Sequence, residues 1–246
     1  MTGPERSGRP RALLWLAAAI LLAAGIAVST VATLREGRDH PRCPDDAFGC
    51  VETGGPTGPI RIATLLPLTG PQQTAGVEAR RAVELAVAQR GGALLEHDVH
   101  LVNRDDGCSA GRIALVARDL ALDSPDLPPI AAVIGAPCPH VTEPAAQILS
   151  DSGIPLISWS PAEVSFIDPP PERSFYVPID PPHPPSAFKE AYARRYGSGP
   201  GSAWAYRAYR AADLLLDAIE QVAIPASGGE ILLPRISLRD TLRRLA

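Results

Sequence analysis

Residues 130–158, with the sequence IAAVIGAPCPHVTEPAAQILSDSGIPLIS, carry the clearest structural signal in this chain of 246 residues. The apolar run 130–134, closed by a glycine, predicts a buried strand. Thr142 can cap the helix that follows, and Gly153 lies just past the predicted end of that helix. Residues 154–158 predict another buried strand. Two continuously apolar strands joined by a helix indicate a β-α-β unit of a parallel sheet.

The same alternation extends towards the N-terminus. Strands are predicted at residues 60–66 and 99–103, and after each of them apolar residues recur at the spacing of one helix face. These apolar positions are Ala79, Ala82, Val83, Ala86 and Val87 in the first helix, and Ile113, Val116, Ala117, Leu120 and Ala121 in the second. The order β-α-β-α-β-α-β predicts an α/β domain of three layers, in which helices cover both faces of a parallel sheet.

A ligand site is expected at one edge of this sheet. Right-handed crossovers place the carboxyl ends of the four strands side by side, and α/β proteins bind their ligands at that edge. The loops that follow the strands are residues 68–76, 105–109, 136–142 and 159–166.

Several classes of function lack support in the sequence. The formal net charge of −4 gives no general positive field for nucleic acid. Ser186 and Lys189 match the SxxK pattern of serine acyl-enzymes, but Ser186 is placed to start a helix and no partner motif follows. The five histidines are scattered and predict no metal site. We therefore expect no catalytic residue, no metal and no cofactor.

The N-terminal region predicts a membrane or export segment. Residues 12–34 are 23 positions without a charge, and a helix of that length spans a bilayer core of about 30 Å. The length favours a retained anchor, whereas small residues at 27–29 are compatible with a cleaved signal. A short tail at 1–11 precedes this segment, and a cysteine-bracketed linker is expected at 35–58.

The four cysteines bear on the compartment. Cys43 and Cys50 enclose the turn-rich sequence PDDAFG, which could close a small disulfide. Cys108 and Cys138 each follow a predicted strand. Two pairs suit an oxidising compartment, and the alternative is four free thiols in a cytosolic protein.

A proline-rich run separates the sheet region from the C-terminal region. Residues 161–185 contain nine prolines, which predicts a stiff hinge rather than a helix. Helices are predicted after it at 186–196, 202–223 and 238–245.

The order of these segments resembles the extracytoplasmic solute-binding proteins of branched-chain amino-acid ABC importers, which have the type 1 periplasmic-binding-protein fold. The resemblance is carried by PIRIATLLPLTGP (59–71), by LVNRDDGCSA (101–110) and by the stretch from 130 to 158. It implies a two-lobed clamp that closes over an aliphatic amino acid and delivers it to an ABC permease. It also implies a Cys108–Cys138 disulfide and places the edge loops in half of the ligand site.

The sequence departs from this family in length. The family's second lobe has its own β-α-β series, and the proline-rich run stands in its place here. We therefore expect a single lobe at 59–166, a hinge or remnant of the second lobe at 167–185, and C-terminal helices at 186–246 that pack on the first lobe.

The sequence also departs from the family at the ligand positions. Pro139 stands where the family has Ser, and Ser160, Pro161 and Ala162 stand where it has Ser-Ala-Thr. Proline offers neither an N–H group nor a hydroxyl to a ligand carboxylate. The resulting set of candidate ligand-binding residues is Thr74, Pro139, His140, Ser160, Pro161 and Ala162.

Two functional hypotheses follow. The first is a leucine-binding-like solute-binding protein for amino-acid ABC transport, held at the cell membrane by one N-terminal helix or secreted, with its main domain extracytoplasmic. The alternative is a membrane-anchored derivative that binds little or no ligand and acts as a sensory or interaction module. The missing lobe, Pro139 and the length of the segment 12–34 favour the alternative.

Overall fold

The computed structural model describes residues 43, 46–122, 129–160, 173–181 and 183–246. The predicted tail at 1–11 and the predicted anchor or signal at 12–34 lie outside these residues. Within the described ranges, no helix combines the length and the apolar character that a membrane crossing requires.

The secondary structure elements are numbered in chain order. The strands are β1 (Cys50–Glu52), β2 (Ile60–Leu66), β3 (Ala93–Leu94), β4 (His97–Asp105), β5 (Ile130–Gly135), β6 (Leu156–Ser158), β7 (Tyr176–Pro178), β8 (Ile224–Pro225) and β9 (Ile231–Pro234). The helices are α1 (Gln73–Gln89), α2 (Ala110–Ala121), α3 (Pro139–Asp151), α4 (Ser186–Tyr196), α5 (Ala203–Val222) and α6 (Arg235–Leu245). The main sheet has the order β3-β4-β2-β5-β6-β7 and is parallel except for the pairing of β3 with β4.

The central strands β2, β5 and β6 of the main sheet are buried at successive positions and thus on both faces. In β2, Ile62 and Leu66 join the core on the side of α1 and α5, whereas Ala63 and Leu65 join the core on the side of α2 and α3. Successive side chains of a strand point to opposite faces, so a run without polar residues needs cover on both sides. The predicted α/β lobe with a parallel sheet is therefore confirmed.

The C-terminal helices complete the helix layer on the side of α1. Helix α5 packs along α1 and against β5. Tyr196 of α4 donates its hydroxyl to the carbonyl oxygen of Arg81 at 2.7 Å. At the end of α1, Arg90 is paired with Asp213 at 2.8 Å and with Asp217 at 2.6 Å, both from α5. Apolar packing and ion pairs thus bind the segment after the proline-rich run to the lobe.

Helix α3 begins earlier than its sequence predicts. Its first residue is Pro139, and Thr142, the predicted cap, lies within the first turn. The Thr142 hydroxyl donates to the carbonyl oxygens of Ala136 at 2.7 Å and Cys138 at 3.0 Å. The reason is that Gly135, with φ of +134°, turns the chain directly after β5, and proline favours the first helical position.

A small antiparallel sheet lies where the sequence predicts only a linker and helices. It has the order β1-β9-β8, and its strands come from both ends of the described chain. Residues 50–52 of the predicted linker are therefore one of its strands, and the predicted series of C-terminal helices is interrupted by β8 and β9.

The residues just before β1 are fastened to the same region. Cys43 and Cys50 form a disulfide with a Cα–Cα distance of 5.7 Å. The ring of Phe48 meets the ring of Phe175 edge-on, with centroids 4.7 Å apart. We call residues 46–50 the N-terminal knob.

Asp46 of the knob caps helix α6, which gives a first testable prediction. Its carboxylate accepts the N–H of Ile236 in the first turn of α6 at 2.7 Å and the N–H of Phe48 at 2.9 Å. We expect Asp46→Ala to lower the free energy of unfolding by about 1 kcal/mol, the usual effect of removing a helix cap. Urea unfolding followed by circular dichroism measures it. Asp98→Ala, at an exposed position of β4, is the control, and an equal loss in both variants would contradict the capping role.

Candidate functional site

The carboxyl ends of the parallel strands form one edge of the main sheet, which we call the mouth. In register, Leu66 of β2 lies beside Asp105 of β4, and Leu65 lies beside Gly135 of β5. Helices α1, α2 and α3 each begin at this edge, directly after the loops that follow β2, β4 and β5. A helix N-terminus carries a partial positive charge of about half an elementary charge. The mouth is therefore suited to a negatively charged group.

Asp105 ties two of the mouth loops together. Its Oδ1 accepts the backbone N–H groups of Leu68 at 2.8 Å and Gly107 at 2.9 Å, and its Oδ2 accepts the hydroxyl of Thr69 at 2.6 Å. Arg112 of α2 forms an ion pair with the same carboxylate. Burial alone would raise the pKa of Asp105, but these hydrogen bonds and the charge of Arg112 outweigh it and hold the pKa below its usual value.

The neighbouring Asp106 has a different environment. It is fully buried, and its Oδ1 accepts the N–H of Cys108 at 2.9 Å. Within the described residues its Oδ2 has no hydrogen-bond partner. The pKa of Asp106 is raised to about 6, mainly by burial and in addition by the charge of Asp105, while the hydrogen bond from Cys108 and the charges of Arg112 and His140 act in the opposite direction. A carboxyl group that resists ionisation therefore lies under the mouth.

A disulfide joins the loops after β4 and β5. Cys108 and Cys138 are bonded, with a Cα–Cα distance of 5.7 Å. This pairing is the one that the resemblance implies. Together with the Asp105 contacts, it links the loops after β2, β4 and β5 into one connected rim.

The structure places four of the six predicted ligand residues. Thr74 is exposed in the first turn of α1, and Pro139 is exposed as the first residue of α3. His140 is exposed too, and its Nε2 donates to the carbonyl oxygen of Cys108 at 2.7 Å. Ser160 is buried, and its N–H donates to the hydroxyl of Ser158 at 3.1 Å. All four lie at the mouth and stay predictions as ligand contacts. The other two, Pro161 and Ala162, lie outside the described residues.

Sequence reasoning missed the two features that shape the mouth most. The first is the rim network of Asp105, Thr69 and Arg112. The only sequence signal for this network is the Asp-Asp-Gly sequence at 105–107, after a predicted strand. That sequence predicts a turn, but it does not predict that the Asp105 carboxylate binds the loop that carries Leu68 and Thr69. The second is a pocket of about 330 Å³ next to the carboxyl end of β7, where Asp180, Pro181, His183 and Pro184 meet the start of α5.

In the portion of the chain that the structure describes, no group of three or more His, Cys, Asp or Glu residues is placed to hold a metal ion. The chemistry of the mouth is that of hydrogen bonding and charge pairing.

Comparison with known proteins agrees with the fold. Residues 59–177 match a family model described as periplasmic binding protein. No curated protein matches the chain. Among solved structures, the leucine binding protein LivK from Thermotoga maritima is similar with a TM-score of 0.60 and 14% identity, over 75% of this chain and 87% of that one.

Two further solved structures are similar over nearly the same share of the chain. The substrate binding protein LivJ from Streptococcus pneumoniae, in complex with isoleucine, has a TM-score of 0.55 and 14% identity, over 75% of this chain and 87% of that one. A solute binding protein of an ABC transporter from Rhodopseudomonas palustris BisB5, in complex with 3,4-dihydroxybenzoic acid, has a TM-score of 0.55 and 14% identity, over 73% and 83%. These solved structures are described as leucine, substrate or solute binding proteins, and at these identities the likeness shows the fold alone.

Proposed function

We propose, because residues 59–177 match a family model described as periplasmic binding protein, that this protein binds a small extracytoplasmic solute at the mouth and works with an ABC permease. The proposed solute is an aliphatic amino acid or a related small molecule that carries a carboxylate. The N-terminal segment 12–34 would hold the protein at the cell membrane, or would be removed from a secreted form.

The observation that carries the proposal is the convergence of three helix N-termini on the mouth. Helices α1, α2 and α3 begin at Gln73, Ala110 and Pro139, beside the carboxyl ends of β2, β4 and β5. Their dipoles stabilise a carboxylate there. Two links hold these N-termini in place before a ligand arrives. They are the hydrogen bonds to Asp105 and the Cys108–Cys138 disulfide. Such preorganisation lowers the entropic cost of binding.

Ligand-induced thermal stabilisation tests the proposal. At a concentration of about 100 Kd, a ligand that binds only the folded protein stabilises it by about 2.7 kcal/mol, which corresponds to a Tm increase of about 5–10 °C for a domain of this size. We expect this increase with leucine, isoleucine or valine and not with leucinamide, which lacks the carboxylate. An equal increase with leucinamide would contradict the role of the helix N-termini.

A second candidate function rests on a separate observation. Residues 159–175 are all that separates β6 from its parallel neighbour β7, and a lobe of typical size needs about 100 residues or more. A mouth without a facing lobe stays open to water, which weakens charge pairing with a small ligand. If no amino acid or small carboxylate raises the Tm, the protein is better explained as a membrane-anchored sensory or interaction module, and crosslinking on intact membranes should then recover a partner.

A further inference from the structure

Asp106 lies at the junction of the three loops that carry the helix N-termini of the mouth. Its N–H donates to the carbonyl oxygen of Leu66, the last residue of β2, at 3.1 Å. Its carbonyl oxygen accepts the N–H of Ser109, the residue before α2, at 2.9 Å. Two positions along the chain from Asp106, Cys108 is bonded to Cys138, the residue before α3. Asp106 is thus linked to the segments that precede all three helices.

The carboxyl group of Asp106 is enclosed and only half satisfied. The residue is fully buried, and its Oδ1 accepts the N–H of Cys108. Its Oδ2 is a buried oxygen without a hydrogen bond in the described part of the chain. An ionised carboxylate in such a place loses hydration that nothing replaces, whereas a neutral carboxyl group loses much less. This geometry favours the neutral form and agrees with the rise of the Asp106 pKa to about 6.

The charged surroundings of Asp106 are simple. Among the described residues, the charged or titratable side chains that act on it are Asp105 of β4, Arg112 of α2 and His140 of α3. Asp105 and Arg112 form an ion pair with each other, so their charges largely cancel. The loops after β2 and β5 add no ionisable side chain, since the one cysteine there is held in the disulfide. Ionisation of Asp106 therefore adds one negative charge beneath the mouth, and protonation of His140 is the other event to be separated from it.

We propose that Asp106 is a protonation switch for the ligand of the mouth, which binds a carboxylate tightly while the Asp106 carboxyl group is neutral and weakly once that group is ionised. The neutral group leaves the partial positive charges of the helix N-termini available to the ligand. The ionised group lies beside the same N-termini and repels the ligand carboxylate. Two like charges about 10 Å apart, at an effective dielectric constant of about 20, weaken binding about tenfold. This inference rests on the proposed function, because it describes the regulation of the same site.

The switch has a reciprocal effect on the proton. A ligand carboxylate that opposes the ionisation of Asp106 increases the proton affinity of this group by the same factor by which ionisation weakens the ligand. Ligand binding therefore takes up protons from the solution. For a tenfold coupling, the uptake is about half a proton per ligand at about pH 6.5. A change of the surroundings from acidic to neutral should release the ligand.

Calorimetric titration of leucine into the full-length protein at about pH 5 and about pH 7 tests the inference. Leucine keeps the same charges over this range, so a change in affinity comes from the protein. We expect the dissociation constant of the unmodified protein to rise about fivefold from the lower pH to the higher one. Titrations near the midpoint, in two buffers with different ionisation enthalpies, should show the proton uptake.

Three variants identify the titrating group. Asp106→Asn keeps a neutral side chain of the same shape at every pH, so it should bind leucine equally well at both pH values and without proton uptake. Asp98→Asn, the same exchange at an exposed position near the amino end of β4, is the matched control and should keep the pH dependence. His140→Gln removes the other titratable group and should keep the pH dependence as well, whatever its effect on the affinity itself.

The outcomes separate this inference from the proposed function. If the unmodified protein binds leucine equally well at both pH values, or without proton uptake, Asp106 is not a switch and the proposed function stands. These two measurements do not depend on the folding of any variant. If Asp106→Asn keeps the pH dependence, or His140→Gln abolishes it, the assignment to Asp106 is overturned. If the unmodified protein binds leucine at neither pH, the proposed function fails and the inference fails with it.

Discussion

Gly76→Ala is expected to lower the free energy of unfolding by about 3 kcal/mol or more. Gly76 lies in the first turn of α1, where the helix passes directly over the end of β2. A Cβ atom there would overlap the carbonyl oxygen of Pro67 and lie 2.8 Å from its carbonyl carbon. Both atoms belong to the backbone, so relief requires a shift of the helix or of the first mouth loop. Denaturant unfolding measures the loss.

Gly111→Ala is the matched control for this prediction. Gly111 also lies in the first turn of a helix, α2, and nothing lies within 4 Å of a Cβ atom added to it. Alanine favours a helix over glycine by about 0.5–1 kcal/mol, so Gly111→Ala should be neutral or slightly stabilising. Because Pro67 directly precedes the residues that Asp105 holds, we also expect Gly76→Ala to weaken ligand binding. If the two variants unfold at the same denaturant concentration, the close approach of α1 to β2 does not set the packing of the mouth.

Asp106→Asn is expected to produce the largest change in the pH dependence of stability. Burial raises the pKa of Asp106 from its ordinary 3.8 to about 6. The folded protein therefore holds a proton that the unfolded chain releases, and ionisation of the folded state opposes folding. The protonated Asp106 carboxyl group therefore contributes to the free energy of unfolding. This contribution is fully present below about pH 4 and is lost as the pH rises through about 6. The pKa difference corresponds to about 3 kcal/mol.

Comparison of Asp106→Asn with the unmodified protein isolates the contribution of the Asp106 carboxyl group to the pH dependence of stability. The free energy of unfolding of Asp106→Asn, minus that of the unmodified protein, should rise by about 3 kcal/mol between about pH 4 and pH 7. Asp98→Asn, the same exchange at an exposed site, is the control. Asp105→Asn should act in the opposite direction, because the lowered pKa of Asp105 adds stability that is lost as the pH falls. A flat difference between Asp106→Asn and the unmodified protein would mean that the buried carboxyl ionises freely.

The sequence predicts the main sheet well because the signal is local. In β2 every residue from 62 to 66 is buried, and each face has its own helix layer, so a short run that is apolar except at Thr64 is sufficient evidence. The periodicity of α1 and α2 is visible for the same reason. These patterns depend on neighbours in the chain and not on distant contacts.

The parts that the sequence does not predict depend on distant partners. Strand β1 has three residues and pairs with β9, which lies more than 170 positions later. Neither strand is long enough to show an alternating pattern. The same limit holds for the mouth, since Asp105 is identified as a rim residue only when Leu68 and Thr69 are seen to donate to it. The pocket at Tyr206 and Arg207 is hidden because its other wall is part of the proline-rich run.

The position of the N-terminal knob has a consequence for immobilising this protein on a solid support. Phe48 lies against Phe175, just before β7 begins, and near Gly153, just after α3 ends. Both places are at the amino edge of the sheet, opposite the mouth. The backbone at Cys43 thus enters the domain at the edge opposite the mouth, so we expect a capture tag or biosensor linkage added ahead of Cys43 to leave the mouth facing the bulk solution.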